Sequence, residues 1–184
     1  MVIVFIGPPG CGKGTQANIL KDSILPDLNI LTVSSLLKEK SKDESILGKE
    51  IKNKMDNGDL IEDTVVISVL KEKVNTLSNE QILIDGFPRS STQAESLIEI
   101  FGTNDLSIIN FEVDDDQLLQ RIKKRSMEEH RADDSFFEKR LQIYKKSHLE
   151  ILNSLKKNYS VTDIQANDEI STVTTKIVEK LGLN

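Results

Sequence analysis

The sequence has a single cysteine, Cys11, no tryptophan, and few aromatic residues, which make up 4% of its 184 positions. One cysteine excludes an intrachain disulfide and a cysteine-rich zinc centre, and it suits a reducing compartment. No apolar run is long enough to span a bilayer, and no basic flank followed by an apolar core resembles a signal peptide. We therefore expect a cytoplasmic protein with no membrane partner.

Positive charge is also in short supply, since 24 Lys and Arg residues are outnumbered by 30 Asp and Glu, for a net charge of −6. This balance argues against a general surface for polyanions, so we expect no nucleic-acid partner. A phosphate ligand would instead need cations at specific positions. The length, together with the lack of repeats or Pro/Gly/Ser-rich linkers, predicts a single domain (1–184) with insertions, and we expect a monomer.

Short apolar runs alternate along the chain with longer helical patterns. Five of these runs have the composition of buried parallel strands. They are Val2–Ile6, Ile30–Val33, Ile82–Ile84, Leu106–Phe111 and Tyr159–Val161. The alternation predicts an α/β fold in which a five-stranded parallel sheet lies between two layers of helices. Two polar stretches, "KSKDES" and "SMEEHRADDS", interrupt helical segments and are candidates for mobile flaps.

The first strand runs into a glycine-rich loop, "GPPGCGK" at residues 7–13, and a helix follows. In that context backbone N–H groups can converge on an anion, and Lys13 adds a cation while Thr15 adds a hydroxyl. The alternative is a glycine-rich turn that binds nothing. Gly14 stands where such loops usually carry a serine or threonine that ligates magnesium, so the ion must rely on phosphates and water. The loop alone indicates a nucleotide, without separating kinases from motors or switches.

A second motif, "LIDGFPRSSTQA", lies at the end of a predicted strand, where open α/β sheets bind ligands. Asp85 can orient magnesium through water, and Arg89 can hold a phosphate with its planar guanidinium. The alternative is a strand that ends in a turn, with Asp85 as a cap and Arg89 in solvent.

Together, "GPPGCGKGTQA" and "DGFPRSSTQA" resemble the nucleoside monophosphate kinases, and the adenylate kinases most closely. The resemblance continues through "ILGKEIKNKMDNGDLIEDTVVISVL", "RIKKR", "RADD" and "EKRL". It implies reversible, Mg²⁺-dependent transfer of the γ-phosphoryl group of ATP to AMP, giving two ADP. It also implies a P-loop core (1–31, 62–124 and 134–184), a helical NMP-binding insertion (32–61) and a short lid without zinc (125–133).

The resemblance also assigns roles to individual residues. The ATP-binding set is Gly10, Cys11, Gly12, Lys13, Gly14, Thr15, Arg121 and Arg125. The AMP-binding set is Val33, Lys38, Ile61, Gly86, Arg89, Gln93, Arg131 and Arg140. The catalytic set is Lys13, Asp85, Arg89, Arg125, Arg131 and Arg140, with Asp85 holding magnesium through water. Periodicity alone favours the alternative, in which Arg121, Arg125 and Arg140 lie on a solvated helix face in i,i+4 pairs. The spacing from Arg131 to Arg140 is also shorter than the family's.

Acceptor choice is where the sequence departs from the family. The resemblance places Gln93 where the family's adenine-binding members have glutamine, whose amide can both donate and accept along the ring edge, so Gln93 favours AMP. The alternative is an exposed glutamine at a helix start. Adenylate kinases typically have a threonine and an arginine where this chain has Val33 and Lys38. Val33 lacks the threonine hydroxyl, and Lys38 has a single ammonium charge in place of the planar guanidinium of arginine. These two differences predict weaker AMP binding or a broader choice of acceptor. A UMP/CMP or broad-range kinase and a catalytically weakened ATP-binding regulator therefore stay open as alternatives.

Overall fold

The computed structural model describes residues 1–77, 80–102, 106–129 and 137–183, with side chains described only as far as Lys124 in the third range. Within these ranges the chain forms five strands and eight helices. The strands are β1 (Val2–Ile6), β2 (Leu28–Thr32), β3 (Gln81–Asp85), β4 (Leu106–Glu112) and β5 (Val161–Gln165). The helices are α1 (Lys13–Ser23), α2 (Val33–Lys40), α3 (Ile46–Asp56), α4 (Asp63–Asn75), α5 (Ser91–Phe101), α6 (Asp115–Glu129), α7 (Phe137–Lys156) and α8 (Ile170–Leu181).

The five strands form one parallel sheet in the order β2-β3-β1-β4-β5, which confirms the predicted α/β fold. The central strand β1 pairs with β3 on one side and β4 on the other, so Phe5 lies beside Asp85 and Ile109. Because parallel strands end at the same edge of a sheet, the loop after β1 and the motif after β3 emerge side by side.

Both faces of the sheet are buried, which gives the three predicted layers. Ile3 and Phe5 of β1 belong to a cluster formed with α1, α6 and α8, whereas Val4 and Ile6 belong to a second cluster formed with α2, α3, α4, α5 and the later part of α7. Burying one such side chain stabilises the fold by roughly 1.5–3 kcal/mol. The continuous apolar composition of β1 follows from this two-sided burial.

The fifth strand was predicted wrongly at Tyr159–Val161, because β5 occupies Val161–Gln165. Its sequence, VTDIQ, has two apolar residues, of which only Ile164 is buried, as suits an edge strand with one exposed side. Tyr159 is buried for a different reason: it follows α7, packs in the core and donates its hydroxyl to the carbonyl of Gly102 at 2.8 Å. The second strand also differs, since β2 ends at Thr32 and Val33 begins α2.

Helices α2 and α3 fill the interval between β2 and α4. Val33, Leu37 and Ile51 are buried in the same cluster as the sheet residues. The start of α3 is capped by Ser45, whose Oγ accepts from the backbone N–H of Gly48 at 3.1 Å. The capped start separates α2 from α3 as two short helices, as the sequence pattern predicts.

Helix α6 extends to Glu129 and so continues past residue 124, where this part of the core was expected to end. The predicted lid (125–133) therefore overlaps the last part of α6, and the rest of it lies outside the described residues. None of the helices in the described ranges combines the length and apolar character needed to cross a membrane.

Candidate active site

The glycine-rich loop joins β1 to α1 through left-handed backbone conformations. Gly10 and Gly12 have φ values of +83° and +100°, which residues other than glycine rarely adopt. A Cβ on Gly10 would also lie 3.0 Å from Cδ1 of Ile122, so α6 packs directly against the loop there. A Cβ on Gly12 would meet no atom within 4 Å, so this part of the loop is open.

Lys13 folds back across the loop. Its Nζ donates to the carbonyl oxygens of Gly7 at 2.8 Å and Pro8 at 2.9 Å, and to Sγ of Cys11 at 3.2 Å. The thiol is 2% exposed, so it lies beneath the ammonium group. This arrangement fixes the lysine charge within the loop, at the N-terminus of α1, where the helix dipole adds positive potential.

Asp85 lies next to the start of α1. A Cβ on Gly14 would be 3.9 Å from Oδ2 of Asp85, so the carboxylate faces the first turn of the helix that follows the loop. A larger residue at position 14 would extend into this space. The two motifs, separate in the sequence, are thus brought together at the end of the sheet.

Three of the predicted arginines have described side chains: Arg121, Arg140 and Arg89, the last of which belongs to the pocket described below. Arg121 donates to the carbonyl of Cys11 at 3.3 Å and to that of Ala166 at 2.6 Å, so it links α6 to the loop and to the end of β5. Arg140 lies in the first turn of α7 and is half-buried. The backbone of Arg125 lies in α6 but its side chain is not described, and Arg131 falls outside the described residues.

A pocket of about 300 Å³ is formed by the residues at the start of α4 and by the motif that follows β3. Its lining residues are Leu60, Ile61, Glu62, Asp63, Arg89, Ser90 and Gln93. Nε of Arg89 donates to the carbonyl of Gly86 at 2.9 Å, and a Cβ on Gly86 would lie 3.1 Å from Nη2 of Arg89. The glycine therefore gives the guanidinium room to lie close to the backbone.

Gln93 is 3% exposed, and its amide group takes part in a closed set of hydrogen bonds. Oε1 accepts from the backbone N–H of Arg89 at 2.8 Å, and Nε2 donates to Oδ1 of Asp63 at 2.7 Å. Ser90 Oγ donates to Oδ2 of Asp63 at 2.7 Å and accepts from the backbone N–H of Gln93 at 3.1 Å. The alternative of an exposed glutamine at a helix start is therefore wrong.

Two predicted acceptor residues lie away from this pocket. Val33 is 3% exposed and packs in the core, and Lys38 is exposed on α2. Neither lines the pocket, whereas Ile61, Arg89 and Gln93 do. In the donor set, Thr15 is exposed in the first turn of α1.

Sequence reasoning missed two residues that the structure places at the site. Asp63 and Ser90 bind Gln93, as described above. Elsewhere, the half-exposed Lys139 donates from Nζ to Oδ1 of Asp59 at 2.7 Å and to the carbonyl of Asn57 at 3.2 Å, which joins α7 to the segment after α3. An acidic residue at the start of α4 carries no sequence signal beyond a favourable helix start, because its partner lies 30 residues away.

Tyr144 and His148 on α7, and Glu62 at the pocket, have pKa values shifted from their ordinary ones. Burial raises the pKa of Tyr144 and lowers that of His148, and the two side chains share a 3.2 Å contact on α7. Both are therefore uncharged at neutral pH. The hydrogen bond from Lys54 lowers the pKa of Glu62, which keeps that carboxylate ionised at the pocket rim. Positive charge at the site thus comes from lysine and arginine.

A loop suited to phosphates, a facing carboxylate and a separate pocket with an arginine define a nucleotide-binding kinase of the α/β class. The family model for adenylate kinase matches residues 5–160. Curated relatives named adenylate kinase come from Leptospira biflexa (31% identical, covering 97% of this chain and 98% of the relative), Synechococcus sp. WH7803 (32%, 98% and 98%) and Flavobacterium psychrophilum (34%, 98% and 97%). The chain belongs to the adenylate kinase family.

Proposed function

We propose that this protein transfers the γ-phosphoryl group of ATP to AMP, reversibly, and so interconverts the adenine nucleotides. The observation that carries the proposal is that Asp85, at the end of β3, faces the helix start after the Lys13 loop, while the motif that follows Asp85 supplies Arg89 and Gln93 to the pocket. Polyanions bound at the loop and at the pocket would meet near Asp85.

On the donor side, the residues proposed to hold the phosphates of ATP are those of the loop and the first turn of α1: Gly10, Cys11, Gly12, Lys13, Gly14 and Thr15. Their backbone N–H groups supply most of the contacts. Lys13 would exchange the carbonyls of Gly7 and Pro8 for phosphate oxygens, a stronger, charge-assisted partner. Arg121 lies against the loop already, and Arg125 is proposed one turn further along α6.

Magnesium is the proposed cofactor, and the donor set fits it. A hard divalent ion that keeps most of its waters needs one or two carboxylates in addition to substrate phosphates, and Asp85 faces the loop without a competing side chain at Gly14. Asp85 would hold the ion through water. When bound, the ion supplies charge that offsets the negative charge of the donor phosphates.

On the acceptor side, Arg89 would hold the monophosphate with its planar fork, and Gly86 gives it the room to do so. Ile61 forms an apolar wall for the base, and Gln93 would read the edge of the ring. Arg131 and Arg140 are proposed to reach the phosphoryl group in transfer. The reaction needs alignment and neutralisation of charge more than proton transfer, so a set of cations without a general base is sufficient.

The proposed division of the chain follows from these roles. The core comprises 1–31, 62–124 and 134–184, and the insertion (32–61) carries Val33, Lys38 and Ile61. The insertion and the lid (125–133) would close over bound substrates and exclude water, which otherwise accepts the phosphoryl group. We propose that the protein acts as a monomer in the cytoplasm, where a reducing environment preserves the Cys11 thiol inside the loop.

A second candidate, a kinase with a broader choice of monophosphates, is favoured by the placement of Val33 and Lys38. Val33 packs in the core without a hydroxyl, and Lys38 lies exposed outside the pocket. With neither residue among those that line the pocket, the selection of adenine would rest on Gln93 and Ile61.

The deciding experiment measures initial rates of phosphotransfer from magnesium-ATP to AMP, CMP, UMP and GMP in parallel. We expect rapid ADP formation with AMP and loss of that activity in Lys13→Ala. Comparable rates with CMP or UMP would establish the broader kinase instead. Tight ATP binding without transfer to any acceptor would overturn both candidates and favour an ATP-binding regulator.

A further inference from the structure

The two hydrogen-bond partners of the Gln93 amide each work in one direction only. A backbone N–H such as that of Arg89 can only donate, and an ionised carboxylate such as that of Asp63 can only accept. The oxygen of the amide therefore belongs beside Arg89 and its nitrogen beside Asp63, at the observed distances of 2.8 Å and 2.7 Å. The usual ambiguity between the two ends of a glutamine amide is resolved by these partners.

Asp63 is itself held in place. Its second carboxylate oxygen accepts from Ser90 Oγ at 2.7 Å, and that hydroxyl accepts from the N–H of Gln93 at 3.1 Å. Rotation of the Gln93 amide would set N–H against N–H at Arg89 and oxygen against carboxylate at Asp63. With Gln93 buried, both mismatches would leave polar groups without partners, which is unfavourable.

The fixed amide presents a defined pattern to the pocket that it lines. One N–H and one oxygen lone pair are already used, so one N–H and one lone pair are left. Adenine offers an amino donor at position 6 beside an acceptor at N1, which matches this pattern. In the same orientation of the base, hypoxanthine and guanine offer the reverse, a carbonyl acceptor beside an N–H donor, and would match only a rotated amide.

We propose that Asp63 is a positioning residue that sets the choice between purines: by fixing the Gln93 amide, it admits 6-aminopurine monophosphates and rejects 6-oxopurine ones. The inference rests on the proposed function and deepens it, because it assigns a specificity role to a residue one helix away from the reader. Asp63 need not touch the base to act in this way.

The test compares kcat and KM for AMP and for IMP in the wild type, Asp63→Ala and Asp63→Asn. We expect Asp63→Ala to lower the AMP/IMP ratio of kcat/KM by about tenfold, since only the Arg89 N–H then orients the amide. The change should lie in the two acceptor KM values, with kcat and the KM for ATP nearly unaltered. Asp63→Asn, whose amide oxygen can still accept a hydrogen bond from Gln93, should give an intermediate AMP/IMP ratio.

Two further variants separate positioning from general damage. Asp116→Ala removes an acidic residue from the first turn of α6, as Asp63→Ala does from α4, and should leave the AMP/IMP ratio at the wild-type value. Gln93→Ala removes the reader, so adding Asp63→Ala to it should leave the ratio unchanged. If Asp63→Ala proves too unstable to assay, Asp63→Asn decides by the same ratio.

The outcomes are distinguishable. A wild type that strongly prefers AMP, with the same ratio in Asp63→Ala and Asp63→Asn, overturns the positioning role and leaves the proposed function standing. An equal fall in kcat/KM for both acceptors also overturns it, because it indicates a structural role. A wild type that phosphorylates neither AMP nor IMP overturns the proposed function and this inference together.

Discussion

The proposed donor and acceptor sides of the site are built from different parts of the chain. The proposed donor loop is formed mainly by backbone, with glycines at positive φ and Lys13 bound to loop carbonyls. The proposed acceptor pocket is lined by side chains from two separate segments, and the Gln93 amide is held there by Asp63 and by the Arg89 backbone. Backbone contacts tolerate sequence change elsewhere, whereas the acceptor side depends on the identity of each neighbour. Among related proteins, we therefore expect the donor side to be similar and the choice of acceptor to vary.

The largest expected effect is on the donor side. Replacing Lys13 with alanine should lower kcat by roughly a hundredfold or more, because the cation nearest the transferred group is lost. Steady-state kinetics with magnesium-ATP and AMP measures this. Lys21→Ala, an exposed lysine at the other end of α1, is the matched control and should be near wild type. A loss below tenfold in Lys13→Ala would mean that the loop does not hold the reacting phosphates.

The second-largest expected effect, that of Arg89→Lys, distinguishes the acceptor side from the donor side. Arg89→Lys keeps the charge but removes the planar fork, so kcat/KM for AMP should fall by about tenfold or more while the KM for ATP is unchanged. Parallel titrations of the two substrates provide the measurement. An equal rise in both KM values would contradict the separation of donor and acceptor sites.

Val33 provides a test of why the acceptor side departs from the family. Because its side chain is buried in the core, Val33→Thr should lower the free energy of unfolding by about 1–2 kcal/mol. Denaturant unfolding measures the change, and Val65→Thr, at a partly buried position in the same cluster, should cost less. A stable Val33→Thr with sharper AMP selectivity would show that position 33 reaches the acceptor after closure.

The smallest effect concerns the contact between α7 and the segment after α3. Lys139 and Asp59 are both about half exposed, so their ion pair should contribute only about 0.2–1 kcal/mol and weaken in high salt. A double-mutant cycle with Lys139→Ala and Asp59→Ala, read by thermal unfolding, gives this coupling energy. Coupling that exceeds this range and resists salt would mark the pair as a structural link between the two segments.

Sequence reasoning reached the parts of the molecule whose signal is local. The strand, loop and helix around Lys13 form one continuous motif, and the position of Asp85 follows from the rule that parallel strands end together. It failed where the partner is distant or the signal is weak. β5 pairs through its backbone and carries few apolar residues, and Asp63 binds a glutamine 30 residues away. The assignment of Val33 to the acceptor side stays a prediction, and its apolar side chain is buried in the core cluster.

The central claim is that the two sides of the site exchange a phosphoryl group rather than release it to water. The most direct measurement is the stoichiometry of ATP consumption with and without AMP, following ADP and free phosphate together. The account predicts two ADP for each ATP consumed when AMP is present, and neither ATP consumption nor phosphate release without it. One ADP and one free phosphate for each ATP, whether or not AMP is present, would contradict it.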